Sequence, residues 1–144
     1  MAQSRPQHSV SVAAAIVNQT GQLLAVRRRD NGHWEPPGGV LELDESIQAG
    51  LIREVREETG LEVEPVALSG VYKNMRHGII ALVFRCRIAG GEPLATSEAE
   101  QVGWLTPDQV RELMDEAYAT RLLDALNAGP PANRAHDGLS LLPI

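Results

Sequence analysis

Cysteine and long apolar runs are scarce in this chain, and each shortage excludes a class of protein. The single cysteine, Cys86, cannot form an internal disulfide, so the fold must be held by its core. Alternation along the segment around it places Cys86 on the apolar side of a predicted strand, which indicates a core thiol and not a nucleophile. No apolar run approaches the roughly 18 residues of a membrane-spanning helix, so no membrane association is predicted.

Positive charge is also in short supply. The chain has 13 basic and 19 acidic residues, a formal net charge of -6, which disfavours the broad basic surface that binding to nucleic acid requires. The segment Met1 to Pro6 is polar and lacks the basic-then-apolar pattern of a signal peptide, so we expect a cytoplasmic protein. With 144 residues, of which 43% are hydrophobic, the chain is long enough for one domain with its own core.

What the chain does contain is an unusually specific pattern of charged residues. Gly39 is followed by Glu45, and residues 53–61 then read Arg-Glu-Val-Arg-Glu-Glu-Thr-Gly-Leu. At ordinary residue frequencies, a chance match at the nine positions that define this pattern has a probability on the order of 10⁻⁹ to 10⁻¹⁰ per starting point. The segment therefore indicates a specific site and not a generic solvated helix.

The helical period places three of these carboxylates together. Glu54, Glu57 and Glu58 are spaced i, i+3 and i+4, so they share one helix face, where they repel each other unless a cation compensates. Oxygen ligands suit Mg²⁺ or Mn²⁺, and the absence of His and Cys from the segment argues against zinc. Arg53 can reach Glu57 or turn back to Glu45, where its guanidinium would orient the carboxylates.

The rest of the predicted helix supports this arrangement. Apolar residues recur at helical spacing on the opposite face, at Ile47, Leu51, Ile52 and Val55. Asp44 or Ser46 can cap the start of the helix, and Gly60 stands where a left-handed turn commonly ends one. Gly50 is unfavourable inside a helix, so we expect another backbone or loop to press close to it.

A rigid turn precedes the helix, and with it the segment resembles a known signature. Residues 34–40 read Trp-Glu-Pro-Pro-Gly-Gly-Val, and glycine allows backbone to approach a ligand closely. The whole segment resembles the signature of the Nudix hydrolases, with every specified position filled. The resemblance implies an α/β fold, an α/β/α sandwich with a mixed β-sheet, and a site in which the Gly39 carbonyl joins Glu54, Glu57 and Glu58 as metal ligands.

The same resemblance implies further site residues. Glu98 stands six residues before Trp104, where relatives often have an extra metal ligand or the base that activates water. The residues proposed for catalysis are thus Glu57, Glu58, Arg53, Glu45 and Glu98, with the choice of general base left open. The residues proposed for substrate binding are Arg27 and Arg29, which close a predicted strand, and the stacking aromatics Trp34 and Tyr72.

Elsewhere, the pattern predicts strands at 9–17, 22–29, 62–72, 79–88 and 102–105, and helices at 106–114 and 115–127. The first two strands are expected to form a hairpin, and Thr106 to begin a helix with a capping box. We expect a Nudix hydrolase domain at 1–128 and a tail at 129–144. The apolar end of that tail would dock on its own domain or on the partner subunit of a homodimer.

The resemblance implies a Mg²⁺-dependent hydrolase that cleaves a pyrophosphate bond in a nucleoside diphosphate linked to another group. The short length and a layout similar to the MutT-like enzymes favour a nucleoside triphosphate, cleaved to the monophosphate and pyrophosphate. Two other functions stay open at this point. One is RNA 5′-end processing, which needs a basic channel, and the other is a catalytically idle nucleotide sensor, in which some of the carboxylates would be lost.

Overall fold

The structure is a computed structural model that describes residues 5–144. Residues 1–4, which belong to the polar segment that argued against a signal peptide, lie outside the described part. Within residues 5–144, no helix is both long enough and apolar enough to span a bilayer.

The elements follow one another along the chain with short connections. The strands are β1 (Ser9–Ile16), β2 (Leu23–Arg28), β3 (Trp34–Glu35), β4 (Gly38–Val40), β5 (Glu62–Asn74), β6 (Ile79–Gly90), β7 (Ala99–Leu105), β8 (Ala132–His136) and β9 (Leu141–Leu142). The helices are α1 (Ile47–Thr59), α2 (Pro107–Leu113) and α3 (Glu116–Leu123), and a 3-10 turn (Asp124–Leu126) continues α3.

The described strands form two sheets. The larger has the order β4-β1-β6-β5-β8-β9 and is mixed, because β1 runs parallel to β6 and β5 parallel to β8 while the other neighbours are antiparallel. The smaller sheet is antiparallel with the order β3-β2-β7. This mixed α/β architecture is the predicted fold class.

The side chains of β1 show how the layers are stacked. Val12 and its even-numbered neighbours pack into a core that contains Leu51 and Val55 of α1. Ala13 and Ala15 face the other side, into a core that contains Leu122 of α3. Because successive residues of a strand point to opposite faces, the sheet lies between α1 on one side and α2 with α3 on the other. The predicted α/β/α sandwich is confirmed.

The expected hairpin of the first two strands is wrong. β1 and β2 belong to different sheets and meet only at an isolated bridge between Val17 and Leu23 within the described residues. The turn between them does form, since the Asn18 side chain accepts hydrogen bonds from the backbone N–H groups of Thr20 and Gln22. The chain uses this turn to pass from one sheet to the other.

The second half of the chain follows the predicted pattern more closely. Thr106 begins α2 with a complete capping box, in which Thr106 Oγ1 accepts from the Gln109 N–H and Gln109 Oε1 accepts from the Thr106 N–H. Residues 129–144, expected as a tail, contribute β8 and β9, and β8 pairs in parallel with β5 from Gly70–Ala132 to Asn74–His136. The tail thus docks on its own sheet, and the homodimer remains a prediction.

His136 at the end of β8 leads us to expect that the stability of the fold depends on pH. Its ring has no exposed surface, its Nδ1 accepts a hydrogen bond from the Gly138 N–H at 2.9 Å, and burial lowers its pKa from 6.5. As the pH falls below about 6.5, His136 binds a proton more readily in the unfolded chain than in the folded chain. The free energy of unfolding therefore decreases.

We therefore expect the free energy of unfolding of His136→Gln to decline less steeply between pH 7 and about 5 than that of the wild type. The difference in slope is at most about 1.4 kcal/mol per pH unit, the value for one proton. Urea unfolding curves at several pH values measure it. His77→Gln, which replaces an exposed histidine, is the control, and parallel curves for wild type and His136→Gln would contradict the expectation.

Candidate active site

Helix α1 is positioned by its ends and by the loop before it. Of the two candidate caps, Ser46 is used, since its Oγ accepts from the Ala49 N–H at 3.1 Å. Gly60 ends the helix in the left-handed region, with φ 76°, as predicted. The expected close approach at Gly50 comes from the loop 41–45, whose side chains occupy the space that a Cβ would need. A larger residue at position 50 would therefore have to displace the side chains of Leu41 and Glu45.

The apolar face of α1 is narrower than predicted. Leu51 and Val55 are fully buried, and Ile52 packs at the edge of the same core. Ile47 instead remains 43% exposed, so its predicted packing role is wrong. The buried face of α1 also includes Glu54 and Glu58, which are buried among carboxylates and backbone rather than in the apolar core.

The structure brings the predicted carboxylates together. Glu54, Glu57 and Glu98 each offer a carboxylate oxygen within 4.8 Å of the others, although Glu98 lies on a loop far along the chain. Glu58 lies beside them, and with Glu54 and Glu98 it lines an open cavity of about 470 Å³. The site therefore joins one helix to the segment just before β7.

The glycine turn holds the buried carboxylates from the other side. β4 pairs with β1, and the Gly38 N–H donates to Glu58 Oε1 at 2.6 Å. A Cβ at Gly39 would overlap the carboxylate of Glu54, so only glycine allows the backbone to lie directly against it. Gly39 is thus close to the predicted ligands, as the resemblance implies.

Arg53 links the carboxylates. Its Nε and Nη2 donate to both oxygens of Glu45, at 2.9 and 2.6 Å, and its Nη1 donates to Glu54 at 2.9 Å and to Glu57 at 3.3 Å. The structure thus contains both of the contacts that the sequence suggested for Arg53, one to Glu57 and one to Glu45. A guanidinium held in this way fixes the orientation of the carboxylates around it.

The electrostatic environment separates the glutamates into two groups. Burial raises the pKa of Glu58 to about 8, against the hydrogen bond from Gly38, and the charges of Glu54 and Glu98 raise it further. Burial also raises the pKa of Glu54. In contrast, the hydrogen bonds from Arg53 lower the pKa of Glu45 to about 2, which keeps that carboxylate ionised.

The arginines at the end of β2 have different surroundings. Arg28 and Arg29 line the cavity beside the carboxylates, and Arg29 Nε donates to the Thr96 carbonyl at 2.8 Å. Arg27 does not line this cavity, because its Nε donates to the Gly32 carbonyl at 3.1 Å. The prediction that Arg27 binds substrate is therefore corrected in favour of its neighbours.

The two predicted stacking aromatics also differ. Trp34 is half-buried and lines a separate cavity of about 160 Å³ together with Glu35 and Tyr118, so it remains available to a ligand. Tyr72 has no exposed surface, and its hydroxyl donates to Asp124 Oδ2 at 2.8 Å. Tyr72 is a core residue, and its predicted role in stacking is wrong.

Sequence reasoning missed a third cavity, which borders the glycine turn. It has a volume of about 190 Å³, shares Arg28 and the Gly38–Val40 strand with the acidic cavity, and is also lined by Glu35, Tyr118 and Arg121. The position of Glu35 directly before the Pro-Pro-Gly-Gly turn was a usable signal. Arg121 carried none, because an arginine in the last turn of a helix is ordinary.

The donor set fits a hard divalent cation. Glu54, Glu57 and Glu98 supply oxygens in close mutual reach, and glycine at position 39 leaves its backbone against Glu54. Like charges at such distances disfavour one another unless a cation shares them, and carboxylate oxygens match the preference of Mg²⁺ or Mn²⁺. These residues would hold the ion.

Comparison with known proteins agrees with the fold. The NUDIX domain profile matches residues 7–126. A MutT-like protein of Streptomyces ambofaciens is 58% identical over 142 residues, which span 99% of this chain and 92% of that protein.

Two solved structures of similar fold come from bacteria or archaea. An ADP-ribose pyrophosphatase of Streptococcus suis has a TM-score of 0.73 and 25% identity, covering 90% of this chain and 100% of that one. A MutT protein of Methanosarcina mazei has a TM-score of 0.71 and 27% identity, covering 84% and 94%. The chain belongs to the Nudix family of hydrolases, which act on pyrophosphate bonds.

The contact between Gly39 and Glu54 gives a test of the site. In Gly39→Ala the new methyl group must displace the Glu54 carboxylate, which is the flexible end of a side chain, so the fold should persist while the ligand moves. We expect Mn²⁺ affinity to fall by about tenfold or more, measured by titration calorimetry. Gly90→Ala is the matched control, since its Cβ would meet no atom closer than 4.0 Å. Unchanged Mn²⁺ affinity in Gly39→Ala would contradict the placement of the site.

Proposed function

We propose that the protein is a Mg²⁺-dependent hydrolase that cleaves a pyrophosphate bond in a nucleoside diphosphate linked to another group, with a nucleoside triphosphate as the preferred substrate. The observation that carries this proposal is the convergence of Glu54, Glu57 and Glu98 within 4.8 Å beside a glycine turn. Such a set of carboxylates suits divalent cations, which bind diphosphates in turn. Mn²⁺ has the same ligand preferences and would replace Mg²⁺.

Some residues of the site would hold the cation, and others position the side chains that hold it. Glu54, Glu57, Glu58, Glu98 and the Gly39 carbonyl are the proposed ligand set. When bound, a divalent cation neutralises phosphate charge and makes water more acidic. Arg53 is a positioning residue, because it contacts the carboxylates of Glu45, Glu54 and Glu57 and no open part of the cavity.

The remaining role is to orient the attacking water and accept its proton. Glu45 is unsuited to it, because both of its oxygens are engaged by Arg53 and its pKa is lowered to about 2. Glu58 already accepts a hydrogen bond from Gly38. Glu98 is exposed, and it lines the cavity with the other carboxylates, so we assign this role to Glu98.

A phosphate contact is proposed for Arg29, which lines the same cavity. Arg28 is less suited, because its Nε and Nη2 donate to Asp30 at 2.9 and 2.7 Å, which neutralises its charge. A cationic side chain opposite the carboxylates would contact the part of the phosphate chain that points away from the cation. Trp34, half-buried beside Glu35, is the proposed aromatic contact for the nucleoside.

The substrate proposal rests on the chain itself and on its relatives. The relatives named above are called MutT-like and ADP-ribose pyrophosphatase, so a triphosphate and ADP-ribose are both suitable test substrates. The complete carboxylate set supports an enzyme over an idle sensor. The net charge of -6 supports a small nucleotide over the end of an RNA chain.

The first test removes one charge from the proposed ligand set. We expect Glu57→Gln to lower Mg²⁺-dependent pyrophosphate release at least about a hundredfold, because an amide is a weaker ligand for a hard cation. Glu57 is exposed, so the circular dichroism spectrum and melting temperature should stay close to those of the wild type. Glu64→Gln, an exposed glutamate paired with Arg87, is the control. Retained turnover in Glu57→Gln would refute its assigned role.

The second test identifies the bond that is cleaved. We expect phosphorus NMR of reactions in ¹⁸O-labelled water, with Mg²⁺ and either the four deoxynucleoside triphosphates or ADP-ribose, to show label in one product only. The product that carries the ¹⁸O label, monophosphate or pyrophosphate, identifies the phosphorus atom that water attacks. Release of inorganic phosphate and a nucleoside diphosphate from a triphosphate, without pyrophosphate, would contradict the proposed cleavage.

A further inference from the structure

Glu98 is held differently from the other proposed ligands. Those lie on α1 or on β4, whereas Glu98 lies on the irregular segment 91–98 between β6 and β7. Its side chain is exposed, yet one of its carboxylate oxygens lies within 4.8 Å of oxygens of Glu54 and Glu57. Like charges repel, so a carboxylate on a loop would move away from the others while no cation is bound. Specific contacts must therefore hold this segment in place.

The segment 91–98 is attached to the C-terminal end of α1. The last carbonyl groups of a helix lack partners within the helix, and two of those in α1 accept hydrogen bonds from this segment. The Thr59 carbonyl accepts from the Leu94 N–H at 2.8 Å. The Glu58 carbonyl accepts from Thr96 Oγ1 at 3.3 Å. The segment is thus fixed to the same helix that carries the other carboxylates.

The hydroxyl of Thr96 connects this helix end to Glu98. Thr96 is half-buried, and besides donating to the Glu58 carbonyl, its Oγ1 accepts from the backbone N–H groups of Glu98 and Ala99, each at 3.2 Å. A hydroxyl has one donor and two acceptor lone pairs, so all of its hydrogen-bonding capacity is used. One side-chain oxygen therefore joins the backbone of one proposed ligand, Glu58, to the backbone of another, Glu98.

The backbone around Thr96 has further contacts that do not involve the hydroxyl. Arg29 Nε donates to the Thr96 carbonyl at 2.8 Å, and the Arg29 N–H donates to the Glu98 carbonyl at 3.3 Å. The Thr96 N–H donates to the Ala99 carbonyl at 3.0 Å. These bonds attach the segment to the end of β2 and to the start of β7. Loss of the hydroxyl would thus leave the segment attached and remove its side-chain link to α1.

We propose that Thr96 is a positioning residue, whose hydroxyl sets the place of the Glu98 carboxylate relative to the carboxylates of α1. The hydroxyl holds the backbone of Glu98 against the end of the helix, which opposes the repulsion between the carboxylates before a cation arrives. A site whose ligands are already in place binds its cation more tightly than one that must first be assembled. This inference rests on the proposed function for the role of Glu98.

The first test compares two replacements of Thr96. Valine keeps the shape of threonine without the hydroxyl, and serine keeps the hydroxyl. We expect Thr96→Val to lower Mn²⁺ affinity without nucleotide about tenfold, and to lower kcat at saturating Mg²⁺ by a similar factor with KM within about twofold. Thr96→Ser should stay within about twofold of the wild type in all three. Titration calorimetry and steady-state kinetics with deoxynucleoside triphosphates measure these values.

The matched control is Thr20→Val. Thr20 is exposed, and its hydroxyl contacts only Asn18 and Gln22 of its own turn among the described residues, so its loss should change neither Mn²⁺ affinity nor kcat. The melting temperature of Thr96→Val should stay close to that of the wild type, because the backbone contacts of the segment remain.

A double-mutant cycle separates the positioning of Glu98 from a general effect on structure. If Thr96 acts through Glu98, adding Thr96→Val to Glu98→Gln should lower Mn²⁺ affinity and kcat by less than about twofold beyond Glu98→Gln itself. Three results would overturn the inference: effects of the two substitutions that multiply, a Thr96→Ser variant as impaired as Thr96→Val, or a Thr96→Val variant equal to the wild type.

These outcomes are separable from those of the proposed function. If the wild type hydrolyses no nucleotide with Mg²⁺, but Thr96→Val loses Mn²⁺ affinity only when Glu98 is present, the proposed function is refuted and the role of Thr96 is supported. If the wild type releases pyrophosphate, Glu98→Gln is impaired and Thr96→Val is not, the proposed function is supported and the role of Thr96 is refuted.

Discussion

The site depends on holding several negative charges together against their mutual repulsion. Glu54 and Glu58 are one turn apart on the buried side of α1, where burial raises the pKa of both. Two groups counter this cost within the protein: the Arg53 guanidinium, which donates to Glu54, and the Gly38 N–H, which donates to Glu58. These groups compensate only part of the negative charge, because burial and the neighbouring carboxylates still raise the pKa values of Glu54 and Glu58. The remaining imbalance favours uptake of a cation.

Local signals in the sequence predicted the elements around this site well. The helix, its Ser46 and Gly60 ends and the capping box at Thr106 depend on residues within a few positions of each other, and each is found. The pairing of strands within the sheets was harder to predict. β1 pairs with β6, some 70 residues away along the chain, and both strands are apolar. A clear turn signal after β1 therefore indicated a hairpin, whereas the turn only leads the chain to the second sheet.

The failed site predictions have a geometric cause. In β5, bulges shift the register between Pro65 and Ala67 and between Leu68 and Gly70, so alternation counted from the start of the strand gives no reliable face for Tyr72. The bulge between Arg27 and Arg28 on β2 has the same effect on which arginine faces the carboxylates. By contrast, Glu54, Glu57 and Glu58 lie on a regular helix, where spacing alone decides the face. For this reason the sequence located the carboxylates more accurately than the residues that surround the rest of the substrate.

The short strand β4 gives the two cavities a common wall. Its Gly38 and Gly39 contact the carboxylates on one side, and the same residues line the cavity that contains Arg121 on the other. Both glycines are confined by close neighbours, since a Cβ would overlap β1 at Gly38 and Glu54 at Gly39. A shift of this strand would therefore change the carboxylate cluster and the Arg121 cavity together. On the proposed function, the acidic side would bind a cation and through it the phosphates, whereas the other side is lined by the buried Arg121. Glu54 and Glu58 line one side, whereas Arg121 and Glu35 line the other, so the two sides carry different charged groups and would distinguish the two ends of an asymmetric nucleotide.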